Sequence, residues 1–100
     1  MVESRRRIEG VQQVLNQDWP LTRGDGTKHA EGIPDQPPRP VRARVVFEHD
    51  GEEWLQGRAQ RWTRTHVFVA IMDARLQIGA VWLRVEDVRR PEEPPPETPR

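Results

Sequence analysis

Cysteine and tyrosine are absent from this chain, and its aromatic content is confined to four Trp and two Phe. Without thiols there is neither a disulfide framework nor a thiolate metal cage, so any small fold must be held by packing alone. Apolar residues make up only 34% of the 100 residues, and no run of them nears the roughly 18 needed to cross a bilayer. The stretch Met1 to Val11 has no apolar segment of the secretory kind, so a cytoplasmic protein with no membrane partner is the expectation. An excess of charge is missing as well, since 16 Lys+Arg face 16 Asp+Glu. Ten prolines and this polarity leave too little apolar surface to order the full length, so part of the chain is expected to stay unfolded.

The neutral total hides an uneven distribution. Residues 1–40 sum to zero, residues 41–90 to +2 and residues 91–100 to −2. Fifteen of the 16 cations are Arg, whose guanidinium makes bidentate and stacking contacts that an ammonium does not, although a GC-rich genome produces the same bias.

Four regions follow from the pattern. In residues 1–20, Ser4 is placed to cap an amphipathic helix from Arg5 to about Gln17, with Ile8, Val11, Val14 and Leu15 on one stripe, ended by Trp19-Pro20. A helix of that length needs a surface to lie on, either its own domain or a partner. Residues 21–40 read as a disordered Pro/Gly-rich linker whose Pro37-Pro38-Arg39-Pro40 run is a stiff spacer. Residues 91–100, with no apolar side chain, read as a disordered acidic Pro-rich tail.

Residues 41–90 hold the β-forming content. Val41, Ala43, Val45 and Phe47 alternate with Arg42, Arg44 and Glu48, the period of a half-buried strand. The tetrad His49-Asp50-Gly51-Glu52 signals a tight hairpin turn. The next strand then puts Leu55, Gly57 and Ala59 on the apolar face, with Leu55 opposite Phe47 and Ala59 opposite Ala43. Trp54, Gln56, Arg58, Gln60, Trp62 and Arg64 take the other face. His66 to Asp73 is apolar on both faces, as in a strand covered on both sides. Asp73-Ala74-Arg75 reads as a turn, and Leu76 to Val85 as a fourth strand with Gly79 as a bend. Val85 to Arg90 supplies one helical turn and a final short strand. Such strands bury both sides of the third only by curling, so the predicted class is mainly β, a small antiparallel barrel.

The spacing W-x-x-G-x-A-x-x-W from Trp54 to Trp62, followed by W-L-x-x-E-D-V-R-R from Trp82 to Arg90, resembles SH3-like or Tudor-like barrels. That resemblance covers residues 41–90 and implies a binding module for peptides, methylated side chains or nucleic acid. It transfers no site residue.

Catalytic signals do not accumulate. His29, His49 and His66 have no metal-binding spacing and read as surface or turn histidines. Glu52-Glu53 and Glu86-Asp87 are sequence neighbours that point apart along a strand. No phosphate-loop, dinucleotide or nucleophile-elbow motif occurs, so no enzyme, cofactor or metal is expected. The richest constellation is Arg42, Arg44, Arg58, Trp62 and Arg64, expected on one face, where guanidiniums hold phosphates and an indole stacks an unpaired base of DNA or RNA. The competing assignment is that Trp62 packs under the N-terminal helix or lies over its neighbours, with the arginines solvated or paired to Glu48 and Glu53, while Trp82 is expected in the core. An adaptor is the alternative function, with Ile8, Val11, Val14, Leu15 and Trp54 meeting a protein partner or a second copy, Trp54 together with Trp62 forming the aromatic patch.

Overall fold

The computed structural model describes residues 10–20 and 32–92. Five strands form one antiparallel sheet in the order β4-β3-β2-β1-β5: β1 is Arg39–Phe47, β2 Gly51–Trp62, β3 His66–Ala70, β4 Ala80–Arg84 and β5 Val88–Arg89. The sheet curls into a half-barrel, and its end strands β4 and β5 do not pair with each other. The mainly β, curled antiparallel architecture is as expected, with a half-barrel in place of a fully closed one among the described residues. A 3-10 turn at Val85–Asp87 precedes β5, as the sequence indicated.

Strand parity is as expected: Ala43, Val45 and Phe47 from β1, Ala59 from β2, Val67 and Val69 from β3, and Val81 and Leu83 from β4 form the inner core. The hairpin register differs from the expectation by four residues, since Ala43 faces Leu55 and Phe47 faces Gly51. Glu48, His49 and Asp50 make the loop, and Gly51 opens β2 at φ 80°, a left-handed conformation that glycine adopts without a Cβ penalty. A four-residue shift keeps every side chain on its expected face, because the strand period is two.

Residues 10–20 correct the helix. Residues 5–9 lie outside the described residues, Ile8 included, while residues 10–17 are extended, with a turn at Leu15 and Asn16. This strap bridges the two separate edges of the sheet. Val14 pairs with Phe47, Leu15 N–H donates to the Val46 carbonyl at 2.7 Å, and Glu48 N–H donates to Gln13 at 2.9 Å. Three residues after Val14, Gln17 pairs with Leu83 and Asp18 N–H donates to the Trp82 carbonyl at 3.0 Å. Backbone groups left open by the half-barrel are satisfied by an extended segment, which a helix with all its bonds internal cannot do.

The outer face of β3 and β4 carries a second apolar layer. Trp82 is 1% exposed, with Phe68 at 5.1 Å and Trp19 at 6.4 Å between ring centroids. The third strand is buried on its inner side and half-covered on its outer side, where Phe68 and Ala70 are half-buried, and Trp82 is a packing residue as expected.

At the hairpin end, Arg75 lies 4.0 Å over the Phe47 ring and reaches three carboxylates. It donates to Glu53 at 2.7 and 2.9 Å, to Asp73 at 2.7 and 2.9 Å, and to Asp50 at 2.9 Å. Those hydrogen bonds hold the Asp50, Glu53 and Asp73 carboxyls below their ordinary range and push the guanidinium further up.

Candidate functional site

The outer face of β5, β1 and β2 collects the arginines. Antiparallel partners share a face, so Arg42 stands between Gln56 on β2 and Arg89 on β5, Arg44 stands opposite Trp54, and Arg58 lies between Pro40 and Ala70. Arg89 leans toward the Trp54 ring, 5.9 Å from its centroid.

These cations divide by their neighbours. Arg44 is committed to the fold: its Nη1 donates to Asp87 at 3.1 Å, its Nε lies 3.4 Å from Glu52, and its carbonyl accepts from Asn16 Nδ2 at 2.9 Å. Arg61 is held by Asp35 at 2.8 Å and lies over Phe68 at 5.7 Å. Arg42, Arg58 and Arg89, by contrast, form no ion pair among the described residues. The Nε atoms of Arg42 and Arg89 are buried without a hydrogen-bond partner. Two like charges paired across strands without a carboxylate repel each other, and an anion held by their guanidinium ends relieves that repulsion, whereas the Nε atoms, shut off from solvent, are an unmet cost of the fold.

Trp62 does not belong to this face, which corrects the expected cluster. Between Ala59 and Arg61 the β2–β3 register shifts by one residue. Ala59 faces Val69 on the inner side, Gln60 is the extra residue, and Trp62 faces Val67, again on the inner side. A bulge leaves one residue unpaired and reverses the parity of everything after it. Trp62 packs on the core instead, while Arg64 lies exposed in the turn between β2 and β3. The indole on the arginine face is that of Trp54, half-buried beside Arg44 and Arg89. Arg89 joins the site through β5, a two-residue strand too short to be read for parity in sequence.

The residues expected to meet a partner are separated. Val14 is buried in its own core, Val11 is half-buried and Leu15 is 58% exposed. Ile8 lies outside the described residues, and the backbone pairings of the strap are with Phe47 and Leu83 and not with Trp54 or Trp62.

His66 corrects a further expectation, being 7% exposed rather than a surface residue. Its Nε2 lies 2.8 Å from Asp18 and its Nδ1 2.7 Å from the Thr65 hydroxyl, and Asp18 also takes Arg84 at 3.5 Å. The Asp18 carboxylate thereby fastens the strap to β3 and β4. Among the described residues no His, Asp and Glu group has a metal-holding arrangement. No helix there is long and apolar enough to cross a membrane.

Comparison of the chain with protein-family models, with curated proteins and with solved structures finds no match.

Proposed function

We propose that the protein is a non-enzymatic nucleic-acid-binding module that holds the phosphate backbone on Arg42, Arg58 and Arg89 and stacks an unpaired base on Trp54. One observation carries the reading: Arg42 and Arg89, paired across strands without a carboxylate among the described residues, stand beside an indole. Guanidiniums supply the salt-dependent phosphate contacts, and a ring face accepts any base, the combination used on single strands. Trp54 takes the role first assigned to Trp62, and Arg89 takes that of Arg44.

The test is a titration with a short single-stranded oligonucleotide and its duplex at two salt concentrations. Wild-type protein is expected to favour the single strand and to lose affinity as salt rises. Trp54→Ala costs about 1–3 kcal/mol of binding, the usual worth of one stacked base. Absent or salt-insensitive binding refutes the proposal.

The adaptor alternative rests on different groups, the exposed Leu15, Met72 and Ile78. It predicts that Leu15→Ser or Ile78→Ser changes the molecular mass measured on the same sample, while the oligonucleotide leaves that mass unaffected.

A further inference from the structure

The parity reversal that removes Trp62 from the outer face creates a groove on the inner one. Val41, Ala59, Trp62, Val67 and Val88 line a space of about 220 Å³ at the end of the half-barrel marked by the β2–β3 turn, and Arg39 stands at its rim. The space is left by the sheet itself. The short β5 pairs only with Arg42 and Ala43 and gives the space one wall, Val88, while the strap pairs with β1 at Phe47, toward the hairpin end, and does not reach Val41. The space is an open groove and not a sealed cavity, and its volume exceeds the roughly 150 Å³ that accommodates a benzene ring.

The polarity of the groove is one-sided. Five of its six lining residues are apolar, and the sixth, Arg39, is exposed, lies 5.7 Å from the Trp62 centroid and has no ion pair among the described residues. Small-molecule sites combine an apolar body with a few polar groups that fix orientation, and they occur at the mouths of β-barrels. A guanidinium at such a mouth recognises a planar carboxylate by two parallel hydrogen bonds. We infer that this groove binds a small carboxylic acid carrying one aromatic ring or a branched alkyl group, with the apolar body against Trp62 and the carboxylate on Arg39. The site lies on the face opposite to Arg42, Arg58 and Arg89 and does not depend on nucleic-acid binding.

The probes are 3-phenylpropionate and its neutral counterpart 3-phenylpropan-1-ol, followed by the four indole N–H signals in a two-dimensional NMR spectrum of the full chain, with Trp62 assigned from Trp62→Phe. For a ligand of this size the acid is expected to shift the Trp62 signal saturably with a dissociation constant of about 1 mM. Arg39→Ala, an exposed change, should weaken the acid about tenfold and leave the alcohol unaltered, the equivalent of one charge-assisted contact. Unchanged Trp19, Trp54 and Trp82 signals in that variant report an intact fold. The inference is overturned if the acid produces no saturable shift at Trp62, if acid and alcohol bind equally, or if Arg39→Ala leaves acid binding as it was.

Discussion

Arg75 shows how a fold without disulfides fastens its loops. The guanidinium stacks on Phe47 and closes on carboxylates from the β1–β2 loop, from β2 and from the segment after β3. Asp50, Glu53 and Asp73 all ionise more readily in the folded protein, through the hydrogen bonds from Arg75. Depressed carboxyl values mean stability that is present above their ordinary values, 3.8 for Asp and 4.5 for Glu, and lost as pH falls through the folded ones. Wild-type protein should therefore lose stability on acidification below about pH 4.5, read as a falling urea midpoint. Arg75→Ala should cost about 1–3 kcal/mol at neutral pH, as for other broken networks, and flatten that acid dependence. An acid limb of undiminished depth in Arg75→Ala removes the network as its source. Gly57 is constrained by contact alone: an added Cβ would lie 2.6 Å from the Ala70 carbonyl oxygen and 2.7 Å from Val69 Cγ1. Since backbone cannot yield as a side-chain tip can, Gly57→Ala is expected to destabilise by about 1–3 kcal/mol in the same denaturation assay.

Strands were more legible than their interruptions. Alternation in Val41 to Phe47 is a property of consecutive residues, and it survives even a misplaced hairpin turn, which is why the buried face of β1 was readable. The bulge at Gln60 depends on how β3 docks, and no glycine or proline marks it in the sequence, so Trp62 was assigned to the wrong face. His66 was missed because its partner Asp18 is distant in sequence, on a segment read as helical. That segment has four apolar residues at helical spacings, but of the three that lie among the described residues only Val14 is deeply buried, and so short a stripe competes poorly with two open sheet edges. Asn16 decides the strap. Its Nδ2 donates to the Arg44 carbonyl at 2.9 Å and to Asp87 at 3.1 Å, and its Oδ1 accepts from Val46 N–H at 2.9 Å. Asn16→Ala removes the side-chain partner of the Arg44 carbonyl and of the Val46 N–H at a part-buried position, while Asp87 keeps Arg44, and should cost about 1–3 kcal/mol. Hydrogen exchange locates the effect, with faster exchange expected at Leu15 and Val46 and little change at Val69; uniform acceleration would mean that the strap has no local role.

Zero net charge excludes long-range attraction to a polyanion but says nothing of a single face. Most acidic groups described on this sheet are already engaged, Glu52 and Asp87 by Arg44, and Asp50, Glu53 and Asp73 by Arg75. Three of the cations without such partners among the described residues, Arg42, Arg58 and Arg89, occupy the outer face together, so local potential there is positive although the sum is nil. If each neutralises one phosphate of a single strand, log K should fall with log salt at a slope of about −2, and at about −1.4 in either Arg42→Ala or Arg89→Ala. Arg84, on the same sheet but bound near Asp18 and Glu86, should leave the slope unchanged when replaced by Ala. Equal slopes in all of these proteins would move the phosphate contacts off this face, whereas the ordered loss ties them to the two unmet guanidiniums and not to charge spread over the surface.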